Sequence, residues 1–135
     1  MTATAQMLET HPGDFGFDAD QLASALDAMI ECASTCTQCA DACLAEDDVA
    51  AQVTCIRRNL DCADACTAAA RIVGRQTSYE PALTRAVLEA CALACRLCGD
   101  ECARHGEHGM EHCAVCAASC RACEQACRKL LDAMG

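Results

Sequence analysis

The sequence is poor in the residues that usually fill a protein core. It has no tryptophan, one tyrosine (Tyr79) and two phenylalanines (Phe15, Phe17), so it offers no platform for stacking nucleic-acid bases. Leu, Ile, Val and Phe together number 21 of 135 residues, a thin supply of hydrocarbon for a chain of single-domain length. Basic residues are also few. Ten scattered Lys and Arg against twenty Asp and Glu leave a net charge of −10 and no basic face for phosphates, which argues against nucleic acid as a partner. No continuous apolar stretch is long enough to span a membrane. Residues Met1 to Phe17 carry no Lys, Arg or apolar run of the kind an export signal needs, so the chain is expected to be cytoplasmic, with its thiols reduced.

What the sequence does have is cysteine, sixteen of them, in four clusters: Cys32, Cys36, Cys39, Cys43; Cys55, Cys62, Cys66; Cys91, Cys95, Cys98, Cys102; and Cys113, Cys116, Cys120, Cys123, Cys127. Of the twelve gaps within clusters, four are threes, seven are fours and one is a seven, which puts every sulfur of a cluster on one face of an α-helix. A thin aliphatic content with high net charge leans towards disorder, but the sustained helical period and 29 alanines outweigh it. Helix boundaries follow from local signals. Asp18 or Asp20 caps a first long helix that runs to about Ala45, and a turn at Glu46, Asp47 and Asp48 leads into a second that ends near Val73 with Gly74 as cap. Pro81 opens a third that continues to about His105; Gly106 and Gly109 precede a fourth, from Met110 or Glu111 to Met134. The connections are short, so the expected fold is all-α: an antiparallel up-down-up-down four-helix bundle with a cysteine-lined core over residues 18–135, preceded by an irregular arm over residues 1–17.

Antiparallel packing gives the two ends of such a bundle different chemistry. Cys43, Cys55, Cys102 and Cys113 fall towards one end, where the stripes continue into Glu46, Asp48 and Gln52 and into His105, His108, Met110 and His112. Towards the other end, beyond Cys32, Cys66, Cys91 and Cys127, they continue into Leu22, Ala25, Met29, Ala69, Val73, Leu88, Leu130 and Met134. One end is a polar mouth and the other a hydrocarbon plug. Asn59 stands where a cysteine would make the second cluster regular, and is read as a supplementary ligand in preference to a packing compromise.

Thiol packing alone is a weak explanation for sixteen positions where Leu or Val would bury more area. Disulfides within a stripe are disfavoured too, because i and i+4 side chains sit about 5 to 6 Å apart while a disulfide wants Cβ atoms roughly 3.8 Å apart. Thiolates select soft metals. Tetrahedral zinc on four thiolates would leave about −2 per site in a dry core. Iron–sulfur clusters favour free backbone N–H donors, which a regular helix has already used. Cu(I) shared between bridging thiolates closes both charge and count at about one ion per cysteine, so multiple Cu(I) ions per chain are the expected cargo. The alternative function is an iron–sulfur or dithiol redox protein transferring electrons, although no βαβ pattern surrounds the four C-x-x-C pairs.

From about Asp18 onwards the chain resembles the four-helix-bundle bacterial copper storage proteins, in particular their cytosolic branch. The C-x3-C-x2-C-x3-C runs at Cys32 to Cys43 and Cys91 to Cys102, together with the Cys113 to Cys127 run, carry the resemblance. It implies Cu(I) storage without catalytic turnover, a homotetramer, and exchange with a copper metallochaperone. It also implies non-thiol ligands at Asn59 and His112 and a metal-admitting mouth at His105 and His108.

Overall fold

The computed structural model describes residues 1–135. Five helices are present: α1 (Ala3–Glu9), α2 (Ala19–Leu44), α3 (Val53–Val73), α4 (Pro81–Gly106) and α5 (Glu111–Met134), with a 3-10 turn at Val49–Gln52 leading into α3. Helices α2 to α5 form the bundle. Each packs on the next in sequence and α5 returns against α2, which is the antiparallel arrangement that the short connections demand. Local chemistry sets the boundaries. Asp18 accepts a hydrogen bond from the Gln21 amide at 2.9 Å and starts α2; Pro81 opens α4, where Glu80 accepts from the Ala82 amide at 3.2 Å. Gly109, at φ +92°, makes the left-handed step that separates α4 from α5.

One sequence expectation is corrected. The N-terminal arm is not wholly irregular: Ala3–Glu9 is helical, because Thr2 caps a run of good helix formers and Leu8 is buried on the core. The expected end of α3 at Val73 with Gly74 as its cap is found, with Gly74 in right-handed geometry at φ −69°. In the acidic turn, Asp48 caps the 3-10 turn and Glu46 reaches across to His112 at the start of α5.

The plug is more extensive than the stripes alone suggest. Leu22, Met29, Val73, Leu88 and Leu130 are fully buried, and the arm adds Leu8 and Phe17 to the same cluster. The arm is fastened there by the Gly16 amide donating to Gln76 Oε1 at 3.1 Å, while Gln76 Nε2 donates to the Val73 carbonyl at 2.8 Å. Gly16 lies so close to Tyr79 that a Cβ would come within 2.5 Å of the phenol oxygen, so no larger residue fits there without displacing the ring.

Candidate metal centre

All sixteen cysteines point inward and are at most 2% exposed, so the four stripes meet along the bundle axis. Their sulfurs are free thiols that stand in contact but are not bonded. Between stripes the spacing is 3.6 Å for Cys36 and Cys120, 3.7 Å for Cys62 and Cys95, 3.7 Å for Cys66 and Cys91, and 3.8 Å for Cys43 and Cys55. Such contacts recur from Cys39, Cys43, Cys55, Cys102 and Cys113 near the α4–α5 turn down to Cys66, Cys91 and Cys123, and Cys127 lies beyond these beside Cys91 and Cys123.

Neighbouring groups of ligand atoms overlap. Cys32, Cys62, Cys66 and Cys95 form one compact group and Cys32, Cys36, Cys62 and Cys120 another; Cys36, Cys98, Cys116 and Cys120 form a third. Cys32 and Cys62 belong to the first two, and Cys36 and Cys120 to the second and third. The geometry is a ladder of shared sulfurs in place of isolated tetrahedral sites.

Asn59 interrupts the ladder without breaking it. Its side chain is fully buried, Oδ1 accepts from the thiols of Cys98 and Cys116, both at 3.1 Å, and from Cys102 at 3.6 Å, and Nδ2 donates to Cys55 Sγ at 3.5 Å. The amide thus occupies the place of a sulfur and presents an oxygen to three cysteines from two helices.

The mouth residues separate into two kinds. His112 joins Cys39, Cys43 and Cys113 in one compact group, with Nδ1 at 3.4 Å from Cys39 Sγ and 3.6 Å from Cys113 Sγ, and Nε2 at 3.0 Å from Glu46 Oε1. His105 is partly buried, with Nε2 at 3.0 Å from Glu101 Oε1, and the same carboxylate pairs with Arg104. Met110 precedes α5 and packs partly buried on the core. His108, by contrast, is exposed, and its Nδ1 bonds the Arg104 carbonyl at 2.7 Å, so the structure does not bring it to the sulfurs. Gln52, one turn before Cys55, adds a buried Oε1 with no partner.

Burial and mutual contact govern the thiols. Burial, then the neighbouring Cys55, pushes Cys43 up to about 11. Hydrogen bonds from Cys102 and then Cys39 hold Cys55 down to about 2 against burial, with the His105 charge adding to them. Cys43 accordingly keeps its proton and donates it towards Cys55. At the plug end, hydrogen bonding with Cys123 and Cys91, followed by burial, raises Cys127 above the ordinary thiol range.

Sequence reasoning passed over Glu101, although it lies four residues before His105 on the same helix and a search for acid–histidine pairs at that spacing would have found it. The tie between Glu46 and His112 spans 66 residues of sequence and has no local signal.

No curated protein matches the chain. A copper storage protein of Streptomyces lividans, Ccsp, solved with 10 copper equivalents, is 50% identical, with a TM-score of 0.93 over 96% of this chain and 98% of that one. A form of the cytosolic S. lividans protein with five coppers gives 53% identity and a TM-score of 0.82, covering 84% of this chain and 93% of that one. A variant of Ccsp with one histidine changed to alanine gives 52% and 0.86, covering 89% and 99%. The sequence model described as "Copper storage protein" matches residues 18–132, the bundle with its complete ladder, and the chain belongs to that family.

Proposed function

We propose that this protein stores multiple Cu(I) ions in the cytosol, held by the thiolates of all sixteen cysteines inside the bundle. The observation that carries this reading is the overlap of the sulfur groups. A metal–sulfur bond of about 2.3 Å puts two sulfurs in line about 4.6 Å apart and three around one ion about 4.0 Å apart, and the contacts here run from 3.6 to 4.0 Å. Small outward movements of the helices suffice to admit ions that share sulfurs with their neighbours. Asn59 Oδ1 and His112 Nδ1 supply further donors facing the same sulfurs, and His105, His108 and Met110 form the rim at which ions are admitted. The S. lividans relatives, solved with five and ten coppers and one of them cytosolic, support both cargo and compartment. The role involves no catalytic turnover. The copper source is a cytosolic metallochaperone, and the assembly is a homotetramer that covers exposed leucines such as Leu60, Leu93 and Leu97.

Anaerobic titration of the reduced chain with Cu(I) tests the reading. Saturation is expected at about one ion per cysteine, about 16 per chain, in a colourless protein. Because burial keeps thiols such as Cys43 protonated, these release their protons when they take up copper, and binding weakens as the pH falls. Saturation near four equivalents, or a brown iron-bearing protein, overturns it.

A further inference from the structure

The geometry points to Glu46 as the positioning residue that fixes His112 as a nitrogen donor to the outermost sulfurs. The inference rests on the ladder being a Cu(I) store, and it concerns how the last rung is made ready. Both ring nitrogens of His112 are accounted for: Nε2 lies 3.0 Å from Glu46 Oε1, and Nδ1 faces Cys39 Sγ at 3.4 Å and Cys113 Sγ at 3.6 Å. A carboxylate only accepts, so Nε2 carries the hydrogen and donates it, which in the neutral ring leaves the Nδ1 lone pair directed at the Cys39, Cys43 and Cys113 group. A neutral imidazole oriented in this way is a metal ligand with its tautomer chosen in advance, and the carboxylate behind it raises the basicity of the donor nitrogen.

The arrangement also joins two helices. Glu46 follows the C-terminus of α2, and its amide bonds the Cys43 carbonyl at 3.2 Å, whereas His112 sits in the first turn of α5. The residue that aims the imidazole is therefore anchored to the turn that carries Cys43, and ligand and sulfurs keep a common frame. Glu46 itself has no contact with a sulfur and acts only through His112.

The test begins without metal. In the reduced wild-type protein, 15N NMR of labelled histidine should show His112 protonated at Nε2 and bare at Nδ1. Glu46→Ala should give a mixture of tautomers. Glu46→Gln, whose amide oxygen still accepts from Nε2–H, should retain the wild-type form in larger part. With Cu(I), Glu46→Ala should weaken the ion bound at the mouth by about 10- to 100-fold in chelator competition. The same change made in a His112→Ala background should add nothing further. A wild-type ring protonated at Nδ1 overturns the inference, as does an equal loss from Glu46→Ala with and without His112, which would make Glu46 a charge at the rim and no more. A protein that shows the expected tautomer yet takes up no Cu(I) upholds the Glu46–His112 geometry and sinks the storage reading instead.

Discussion

The two ends of the bundle are built on the same sulfur stripes and differ only in what continues them. Past Cys127 and Cys91 the stripes run into Leu130, Leu88, Met29 and Val73, all fully buried and sealed from outside by Leu8 and Phe17. Past Cys43 and Cys113 they run into His112, Glu46, Gln52 and the partly buried His105. Hydrocarbon has no lone pair to offer an arriving ion, whereas imidazole, carboxamide and thioether do. The two ends therefore differ in what their side chains could offer an arriving ion, which is why the proposed entry is placed at the histidine end.

The largest expected effect comes from the closed end. Leu88→Ala and Leu130→Ala should each cost about 2 to 5 kcal/mol of stability, seen in thermal unfolding of the reduced, copper-free protein. They should leave the rate of Cu(I) uptake unchanged. Faster uptake and release in these variants, with no change on removing the histidines, would show that the ends have been assigned the wrong way round.

Next in size is the mouth. Replacing His105, His108 and His112 together by Ala should slow loading, and removal by a chelator, by about 10- to 100-fold, followed by stopped-flow. The capacity should stay near one ion per cysteine. Most of the effect should belong to His112→Ala and the least to His108→Ala, whose ring is turned to the Arg104 carbonyl.

Asn59 lies where the two halves of the ladder meet. Asn59→Ala removes the oxygen that accepts from the thiols of Cys98 and Cys116, leaving them only sulfur partners, and should cost about 1 to 3 kcal/mol, with a small loss of capacity in the same titration. The smallest effect is expected at the arm. Gly16→Ala pushes Tyr79 aside and should cost about 1 kcal/mol, visible as faster amide exchange around Leu8 and Phe17, with copper kinetics untouched.

The bundle was largely legible in the sequence because its signal is periodic. Gaps of three and four placed sixteen sulfurs on four faces, and Asp18, Pro81 and Gly109 marked boundaries that the structure reproduces to within a residue or two. The plug was legible for the same reason. The short helix α1 was obscured by Pro12, Gly13 and Gly16, which follow it closely and make the whole arm read as irregular. The mouth was legible as a list of residue types but not as geometry. Which imidazole nitrogen faces sulfur depends on a carboxylate 66 residues away, and His108 was separated from its neighbours by a hydrogen bond to its own helix end.

The shared corners of the sulfur groups also bear on transport. Cys32 and Cys62 serve two groups, and Cys36 and Cys120 link the next pair, so an ion can advance by exchanging one sulfur at a time without ever becoming a bare cation. If the bundle stores Cu(I) as proposed, its interior is a one-dimensional lattice in which ions would move between adjacent positions. Such a lattice filled from one opening empties in the reverse order, so the last ion in is the first ion out.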